Sequence, residues 1–419
     1  MKILLINYRY FVSGGPERYM FNLTDLLSKH GHEVIPFSIR YSKNAPSEYD
    51  KFFVNPLSNE NEVYFKNQSW NLGSVAKTIE RLFYSQEVYD SLHALIKETK
   101  PDFAIVQNYL KKMSPSVLVA LSDNRVPFVV RLSDFFMVCP AVHLFRNDVP
   151  CELCVHGSLL NSVRYKCVQN SFAASLLNYT ATQYHEFKGF FDLIRYFIVP
   201  SSFTKSMMVA AGWNDESVVH IPTFVNTRKA TNTNKKNQIA FIGRLEYIKG
   251  VELFLDALGI LQNDNPRLDF STVIVGGGDE EYVSRLTSIV ARKKIQRLTF
   301  SGSVDAGEVM RVAEESIFTV APSLWYDNSP NSVLESLSCG TPVIAPRHGS
   351  FPEIVIDGKT GLLFNPSDVN DLAAKIVSLA EQPEICAAMS IQAREFVSVH
   401  HSAEKHYEKL MALYPTLIS

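Results

Sequence analysis

The sequence contains no long apolar run. Residues 189–199 form one of the longer stretches, but Asp192 and Arg195 interrupt it, whereas a membrane-spanning helix needs about 20 apolar residues. The N-terminal run MKILLINYRY is too short for a secretory signal and is typical of a first buried strand. We therefore predict a cytoplasmic protein whose contact with a membrane, if any, is peripheral and at the inner face.

An excess of positive charge is also absent. The chain has 41 Lys and Arg against 43 Asp and Glu, a net charge of −2, which argues against nucleic acid as a partner. Its six cysteines are too few in 419 residues to indicate a disulfide scaffold. In contrast, hydrophobic residues make up 46% of the chain and charged residues 20%. This composition excludes a disordered chain and supplies enough apolar side chains for large buried cores.

Short apolar runs alternate with stretches of helical periodicity. We predict strands at residues 2–6, 33–35, 103–106, 127–130, 196–199, 238–242, 271–275, 298–301, 318–321 and 342–345. Strands and helices that alternate at this spacing favour parallel sheets covered on both faces.

The polar segment RKATNTNKKN at residues 228–237 has no apolar periodicity and is typical of a linker. The fold class we predict is α/β, with two doubly wound Rossmann-like domains facing each other across a cleft. The first domain would span 1–225, the linker 226–237 and the second domain 238–396, with a C-terminal helix at 397–419. The carboxyl ends of the strands then line the cleft and are the natural place for a ligand.

Gly14 and Gly15 lie between a predicted strand and a helix. The backbone N–H groups and the dipole at such a helix start favour a phosphate. A tight turn that needs glycine only for its backbone angles is an equally good interpretation.

A second candidate is the segment FIGRLEYIKG at residues 241–250, which leads from a strand through a loop to a helix. Arg244 and Lys249 are placed to converge on one anion, and a diphosphate has enough oxygens for both. The alternative is two solvated cations beside a loop. Their position after a strand's carboxyl end favours phosphate.

The third candidate is WYDNSPNSVLES at residues 325–336. Asp327 lies on a loop and Glu335 more than one turn inside the following helix, whose first N–H groups, those of Asn331, Ser332 and Val333, we expect to be free and to face the cleft. This pattern suits a nucleotide-sugar, with carboxylates for sugar and ribose hydroxyls and N–H donors for the diphosphate. The alternative, a helix-capping acid and an exposed helix acid, fits poorly because Glu335 lies among leucines.

These segments, with HGHEV at 30–34 and GTPVI at 340–344, resemble the signature of the retaining family 4 glycosyltransferases with the GT-B fold. The resemblance covers residues 1–361 and is strongest from residue 239. It also implies that the C-terminal helix at 397–419 packs back on the first domain. It implies transfer of a sugar from a nucleotide-diphosphate-sugar to a saccharide or lipid-linked acceptor, with retention and without a catalytic metal ion. The implied pathway is assembly of surface polysaccharide or lipopolysaccharide.

The resemblance also implies roles for individual residues. The catalytic candidates are Arg244 and Lys249, which would hold the diphosphate and stabilise it as it leaves, and Asp327, which would contact the transferred sugar. Glu335 would hold the ribose. The remaining donor-binding candidates are Gly14, Gly15, Gly243, Asn328, Asn331, Ser332 and Val333.

Two positions depart from the family pattern. Position 327 is aspartate where glutamate is usual. Ser133, followed by Asp134, stands where relatives commonly have a histidine that contacts the donor sugar, and we include both among the donor-binding candidates. Two other functions therefore remain open: a catalytically weakened nucleotide-sugar-binding partner protein, and a sugar phosphorylase or hydrolase that uses the same cleft.

Four cysteines cluster in the middle of the first domain, at Cys139, Cys151, Cys154 and Cys167. One Cys-x-x-Cys pair and two flanking thiols could supply a tetrahedral structural zinc site. Buried free thiols are the equally weighted alternative.

An apolar stripe at Phe187, Phe190, Phe191 and Ile194 fits a helix face that packs in a core or, as the less common alternative, docks on a membrane.

Overall fold

The computed structural model describes residues 1–57, 72–225, 235–264 and 268–418. Two six-stranded sheets account for most of its strands, and every strand pair in them is parallel. A two-stranded antiparallel hairpin completes the set. The strands are β1 Lys2–Ile6, β2 Glu33–Phe37, β3 Phe103–Val106, β4 Phe128–Arg131, β5 Phe145–Arg146, β6 Val149–Pro150, β7 Phe197–Val199, β8 Val218–His220, β9 Gln238–Ile242, β10 Ser271–Val275, β11 Leu298–Gly302, β12 Phe318–Val320, β13 Val343–Pro346 and β14 Gly361–Phe364.

Helices connect and cover these strands. They are α1 Gly15–Lys29, α2 Leu72–Phe83, α3 Gln86–Thr99, α4 Ser116–Asp123, α5 Asn161–Arg164, α6 Phe172–Phe187, α7 Ser202–Ala210, α8 Val251–Asp264, α9 Glu280–Lys293, α10 Ala306–Glu315, α11 Asn331–Ser338, α12 Phe351–Ile354, α13 Val369–Ala380, α14 Pro383–His400, α15 Ala403–Met411 and α16 Leu413–Ile418.

The strand order places the candidate segments. It is β2-β1-β3-β4-β7-β8 in the first sheet and β11-β10-β9-β12-β13-β14 in the second, so the direction of winding reverses beside β1 and beside β9. Ligands bind at such reversal points in open α/β sheets. Gly14 and Gly15 follow β1, Arg244 and Lys249 follow β9, and Asp327 follows β12. The predicted fold class, two doubly wound parallel halves, is confirmed.

Several predicted strands coincide with observed ones. The bounds of β1, β3, β9 and β10 are as predicted, because most residues of each strand are apolar and buried. Two edge strands, β8 and β14, are missing from the prediction. Most of the predicted linker, residues 226–234, lies outside the described residues, and the domain boundaries stay a prediction.

The C-terminal helices divide between the two halves. Val397 of α14 is buried with Leu337 of α11, whereas Leu410 of α15 is buried with Tyr19 and Leu23 of α1. The last helices therefore pack against the first sheet and its helix.

The apolar stripe at residues 187–194 is not a single helix face. Helix α6 ends at Phe187, and a separate 3-10 turn covers Phe191–Leu193. Phe191 and Ile194 are buried in the first core, Phe190 is partly buried, and only Phe187 is exposed, at 85%. Core packing therefore explains most of the stripe. No helix among the described residues is both long and apolar enough to cross a lipid bilayer.

Candidate functional site

Gly14 and Gly15 form the start of α1. Gly14 is extended, with φ of −173°, and caps the helix without a side-chain hydrogen bond; neither glycine has a positive φ. These angles are open to other residues, so they do not support the alternative in which glycine serves only the turn. At Gly15 a Cβ would lie 3.2 Å from the Asn331 amide, and Asn331 Nδ2 donates to the Gly15 carbonyl at 3.1 Å. Glycine at this position therefore allows the close approach of α11.

Helix α11 begins after Pro330 with no side-chain cap. The backbone N–H groups of Asn331 and Ser332 make no hydrogen bond within the described part of the chain. The prediction that the N–H of Val333 is also free is wrong, because it donates to the Pro330 carbonyl at 3.1 Å. Val333 is instead a core residue with 1% exposure.

Glu335 lies one turn into α11 with 8% exposure. Arg18 of α1 donates to its Oε1 at 2.5 Å across the cleft, while its Oε2 is buried and has no partner among the described residues. Burial raises the pKa of Glu335, although Arg18 acts in the opposite direction. The alternative of an exposed helix acid is therefore wrong.

Asp327 and Lys249 are directly paired. Lys249 Nζ donates to Asp327 Oδ2 at 2.5 Å, and the ammonium lies 5.0 Å from the centre of the Trp325 ring. The exposed Arg244 donates to Glu246 at 2.6 Å. Both predicted cations thus carry a carboxylate partner, so a diphosphate would have to compete for each of them.

Glycines hold this side of the site close to neighbouring backbone. Gly250 follows Lys249 with φ of +72°, and a Cβ there would overlap the Pro322 carbonyl oxygen. Gly243, a predicted donor-binding residue, has its carbonyl oxygen where a Cβ at Gly276 would lie. The β9 loop and the β12 loop are therefore in backbone contact at Gly250.

Asn328 differs from its predicted role. Its Nδ2 donates to the Leu132 carbonyl at 3.3 Å, and its Oδ1 accepts from Thr204. Both ends of the amide are engaged with the first half of the chain, and the side chain is 5% exposed. The structure therefore gives Asn328 an inter-domain contact rather than a free group for the donor.

Ser133 and Asp134 follow β4 and are bonded locally. Ser133 accepts from Arg131 at 2.8 Å, and Asp134 accepts from the Phe136 N–H at 2.9 Å. Burial raises the pKa of Asp134 to about 6, against the opposing effects of that N–H and of Lys111. These contacts orient both side chains toward their own loop.

The four central cysteines are free thiols. Burial, followed by the nearby thiols of Cys139, Cys167 and Cys151, raises the pKa of Cys154 to about 12, so the four lie near one another. Nevertheless, no group of three or more His, Cys, Asp or Glu side chains is arranged to hold a metal ion anywhere in the described ranges. Zinc binding stays a prediction, and it would require the thiols to move together.

Three residues near the site escape sequence reasoning. Arg18, the partner of Glu335, lies only three positions after Gly15, and that spacing is a usable signal. Tyr326 donates to Glu152 of the cysteine loop at 2.8 Å, and His143 contacts Trp325 with ring centres 5.0 Å apart. No sequence pattern indicates these two loop contacts.

The cleft beside Glu335 is narrow. A cavity of about 10 Å³ lies among nine residues that include Arg18, Asn331 and Glu335. A cavity of about 710 Å³ lies elsewhere, where α14 and α15 meet the start of α7. The larger cavity does not coincide with the predicted donor site.

Comparison with known proteins finds a family match in the second half of the chain. Residues 224–396 match the model of a family described as glycosyl transferases group 1. Glycogen synthase of Mycobacterium tuberculosis (strain ATCC 25618 / H37Rv) is 24% identical over 416 residues, 94% of this chain and 90% of that protein. The uncharacterized glycosyltransferase MJ1178 of Methanocaldococcus jannaschii is 28% identical over 172 residues, 41% of this chain. The chain spans about half the length of this second relative (46%).

The fold has a close counterpart among solved structures. Anabaena Alr3699/HepE in complex with UDP and glucose superimposes with a TM-score of 0.66 at 17% identity, over 99% of this chain and 100% of that one. The two halves are thus of the GT-B type. The similarity to named glycosyltransferases supports an enzyme of the glycosyltransferase class.

Proposed function

We propose that this chain is a retaining family 4 glycosyltransferase that moves a sugar from a nucleotide-diphosphate-sugar to a saccharide or lipid-linked acceptor. The match at residues 224–396 supports the reaction class. The Anabaena protein of the same fold was solved in complex with UDP and glucose, which supports a nucleotide-sugar donor. The pathway we propose is assembly of surface polysaccharide or lipopolysaccharide.

The observation that carries this proposal is the Glu335 carboxylate, of which only one oxygen has a hydrogen-bond partner among the described residues. Arg18 fixes one oxygen, and the other is buried without a partner among the described residues. An unpartnered buried acceptor is costly, so it is expected to bind a donor group from a ligand. A ribose hydroxyl supplies such a donor.

The remaining groups suit the diphosphate and the sugar. Arg244 and Lys249 stabilise the charge that develops on the leaving diphosphate, with the N–H groups of Asn331 and Ser332 as further donors. Asp327 accepts from hydroxyls of the transferred sugar once Lys249 turns to phosphate. This division of roles needs no metal ion.

A thermal-shift panel tests the proposal. UDP-, GDP- and ADP-sugars are added to the wild type, Glu335→Gln, Glu335→Ala and the exposed control Glu395→Gln. A ligand at about 100 times its dissociation constant stabilises the folded state by about 2.7 kcal/mol. We expect a shift with one nucleotide family in the wild type and the control, and its loss in both Glu335 variants.

The alternatives predict different outcomes. Nucleotide release without an acceptor would indicate a hydrolase, and sugar release that requires phosphate would indicate a phosphorylase. Binding without turnover on any pair of donor and acceptor would indicate a partner protein. Absence of any shift with all three nucleotide families would contradict nucleotide-sugar binding altogether.

We also propose that the enzyme acts in the cytoplasm and meets lipid-linked acceptors peripherally, at the inner membrane face. The exposed Phe187 supports such a contact. Co-sedimentation with phosphatidylglycerol-containing vesicles, compared between the wild type and Phe187→Ser, tests it. Equal recovery of both proteins in the supernatant would contradict membrane contact.

A further inference from the structure

The loop that follows β4 has an unusual backbone on both sides of His143. Val142 has φ of +66° and Leu144 has φ of +48°. The left-handed region costs a non-glycine residue about 1–2 kcal/mol and is especially unfavourable for a β-branched one. Two such residues flanking one side chain mean that the loop holds His143 in a specific place.

Several contacts maintain this backbone. Val142 donates its N–H to the Cys139 carbonyl at 2.8 Å and accepts from Phe135 at 3.3 Å. The carbonyl of Leu144 accepts from Cys151 at 2.7 Å, and the Leu144 side chain is 1% exposed. Strain that surrounding contacts maintain in this way is characteristic of functional sites.

The loop places His143 against Trp325, in the loop between β12 and α11 of the second half of the chain. The imidazole meets the Trp325 ring edge-on, with centres 5.0 Å apart and planes at 70°. Lys249 lies against the same indole and is bonded to Asp327. His143 keeps exposed surface although its ring packs against Trp325, and the buried Trp325 Nε1 has no partner among the described residues.

The electrostatic surroundings determine what His143 can bind. Desolvation, followed by the charges of Lys111, Arg244 and Lys249, lowers its pKa to about 4. At neutral pH the imidazole is therefore uncharged, with one donor and one acceptor nitrogen. A hydroxyl group, which both donates and accepts, is the matching partner, whereas a phosphate is better served by the neighbouring cations.

We propose that His143 contacts the donor sugar: from the first half of the chain it hydrogen-bonds a hydroxyl of the transferred sugar while the diphosphate lies against Arg244 and Lys249. This inference rests on the proposed function, because it requires a nucleotide-sugar in the cleft. It assigns sugar recognition to a residue outside the second half of the chain.

The test compares each nucleoside diphosphate with its sugar conjugate by titration calorimetry. The probes are UDP and UDP-glucose, GDP and GDP-mannose, and ADP and ADP-glucose. In His143→Ala we expect the sugar conjugate that binds to weaken about 10-fold, the size of one lost hydrogen bond, while the diphosphate stays within about twofold. His143→Asn should recover part of the loss because it retains a donor and an acceptor.

A matched control is His156→Ala, which changes an exposed histidine of the same cysteine-rich region. It should leave both affinities unchanged. Equal weakening of diphosphate and conjugate in His143→Ala would indicate a structural role and overturn the inference, as would an unchanged conjugate affinity. If no probe binds the wild type, the proposed function fails and the inference fails with it.

Discussion

Arg18 Nη1 lies 2.5 Å from Glu335 Oε1, and this ion pair joins α1 in the first half of the chain to α11 in the second half. The Glu335 side chain is 11% exposed and that of Arg18 31%. The pair therefore places a buried carboxylate and its partner on opposite sides of the cleft. Because the contact crosses the halves, it affects both their relative position and the orientation of the carboxylate.

The first prediction concerns loss of this pair. Arg18→Ala leaves Glu335 buried without a partner, so we expect unfolding free energy to fall by about 1–3 kcal/mol and the pKa of Glu335 to rise further. Urea denaturation measures the loss. The control Lys51→Ala removes an ion pair whose side chains are 60% and 55% exposed, and it should cost no more than about 1 kcal/mol. Equal losses in both variants would show that the cleft pair has no special role.

The second prediction concerns Lys249 and the diphosphate. Lys249→Ala removes a charged donor, and we expect affinity for a nucleoside diphosphate to fall about 10- to 100-fold. A nucleoside monophosphate, which lacks the second phosphate, should lose much less. Lys293→Ala, which removes an ion pair with Asp256 on the surface of the same half, is the control. An equal loss for monophosphate and diphosphate would contradict the assignment.

The third prediction uses two glycines with nearly the same backbone angle. Gly250 has φ of +72° and a Cβ there would overlap the Pro322 carbonyl, whereas Gly358 has φ of +75° and nothing within 4 Å. Gly358→Ala should cost about 1 kcal/mol, from backbone strain alone. Gly250→Ala should cost about 3 kcal/mol or more, because overpacking adds to that strain. Thermal unfolding compares them, and similar melting temperatures would contradict the close contact.

How far the site can be predicted depends on the kind of contact. The buried runs of β3 and β9 and the glycines after β1 are local signals, so sequence alone locates the strands and the loops that follow them. The Asn328 side chain bonds to Leu132 and Thr204, and the Val333 N–H donates to Pro330. No spacing in the sequence indicates these hydrogen-bond partners. Two of these partners lie far away in the sequence.

His143 illustrates the same limit more sharply. Its position depends on left-handed backbone at Val142 and Leu144, residue types for which no sequence rule predicts that conformation. By contrast, Glu335 is identifiable from its place among leucines, because a charged residue on an apolar helix face implies a buried role. Local chemistry is thus predictable, whereas the pairing of distant loops is not.

The fourth prediction is the structural zinc at Cys139, Cys151, Cys154 and Cys167. We expect about one zinc per chain by elemental mass spectrometry of the purified protein. The double variant Cys151→Ser/Cys154→Ser should lose it, while Cys386→Ser, a buried thiol of the second half, should retain it. Zinc bound to the four thiols would stabilise the folded chain, so removing it with a chelator should also lower the melting temperature. Wild-type protein with zinc far below one equivalent would contradict the prediction.

The fifth prediction concerns pH and His406, which joins α15 to the first half through the Pro222 carbonyl at 2.8 Å and the Tyr19 hydroxyl at 2.8 Å. Burial above all, with Arg131 and Lys409, lowers the pKa of His406 from 6.5 to about 3. The folded state therefore holds the neutral ring, and its contribution to stability is complete above pH 6.5. As pH falls below 6.5 the unfolded chain gains a proton that the folded chain does not, and stability declines until pH reaches about 3.

Between pH 7.5 and 5.5 the wild type should therefore lose about 1.4 kcal/mol more unfolding free energy than His406→Gln. Urea denaturation at the two pH values measures this difference. The control His156→Gln changes a side chain that is 59% exposed and should show the wild-type pH dependence. If His406→Gln loses as much stability as the wild type over this interval, the ring is not held neutral, and its burial against α1 is not the source of the acid sensitivity.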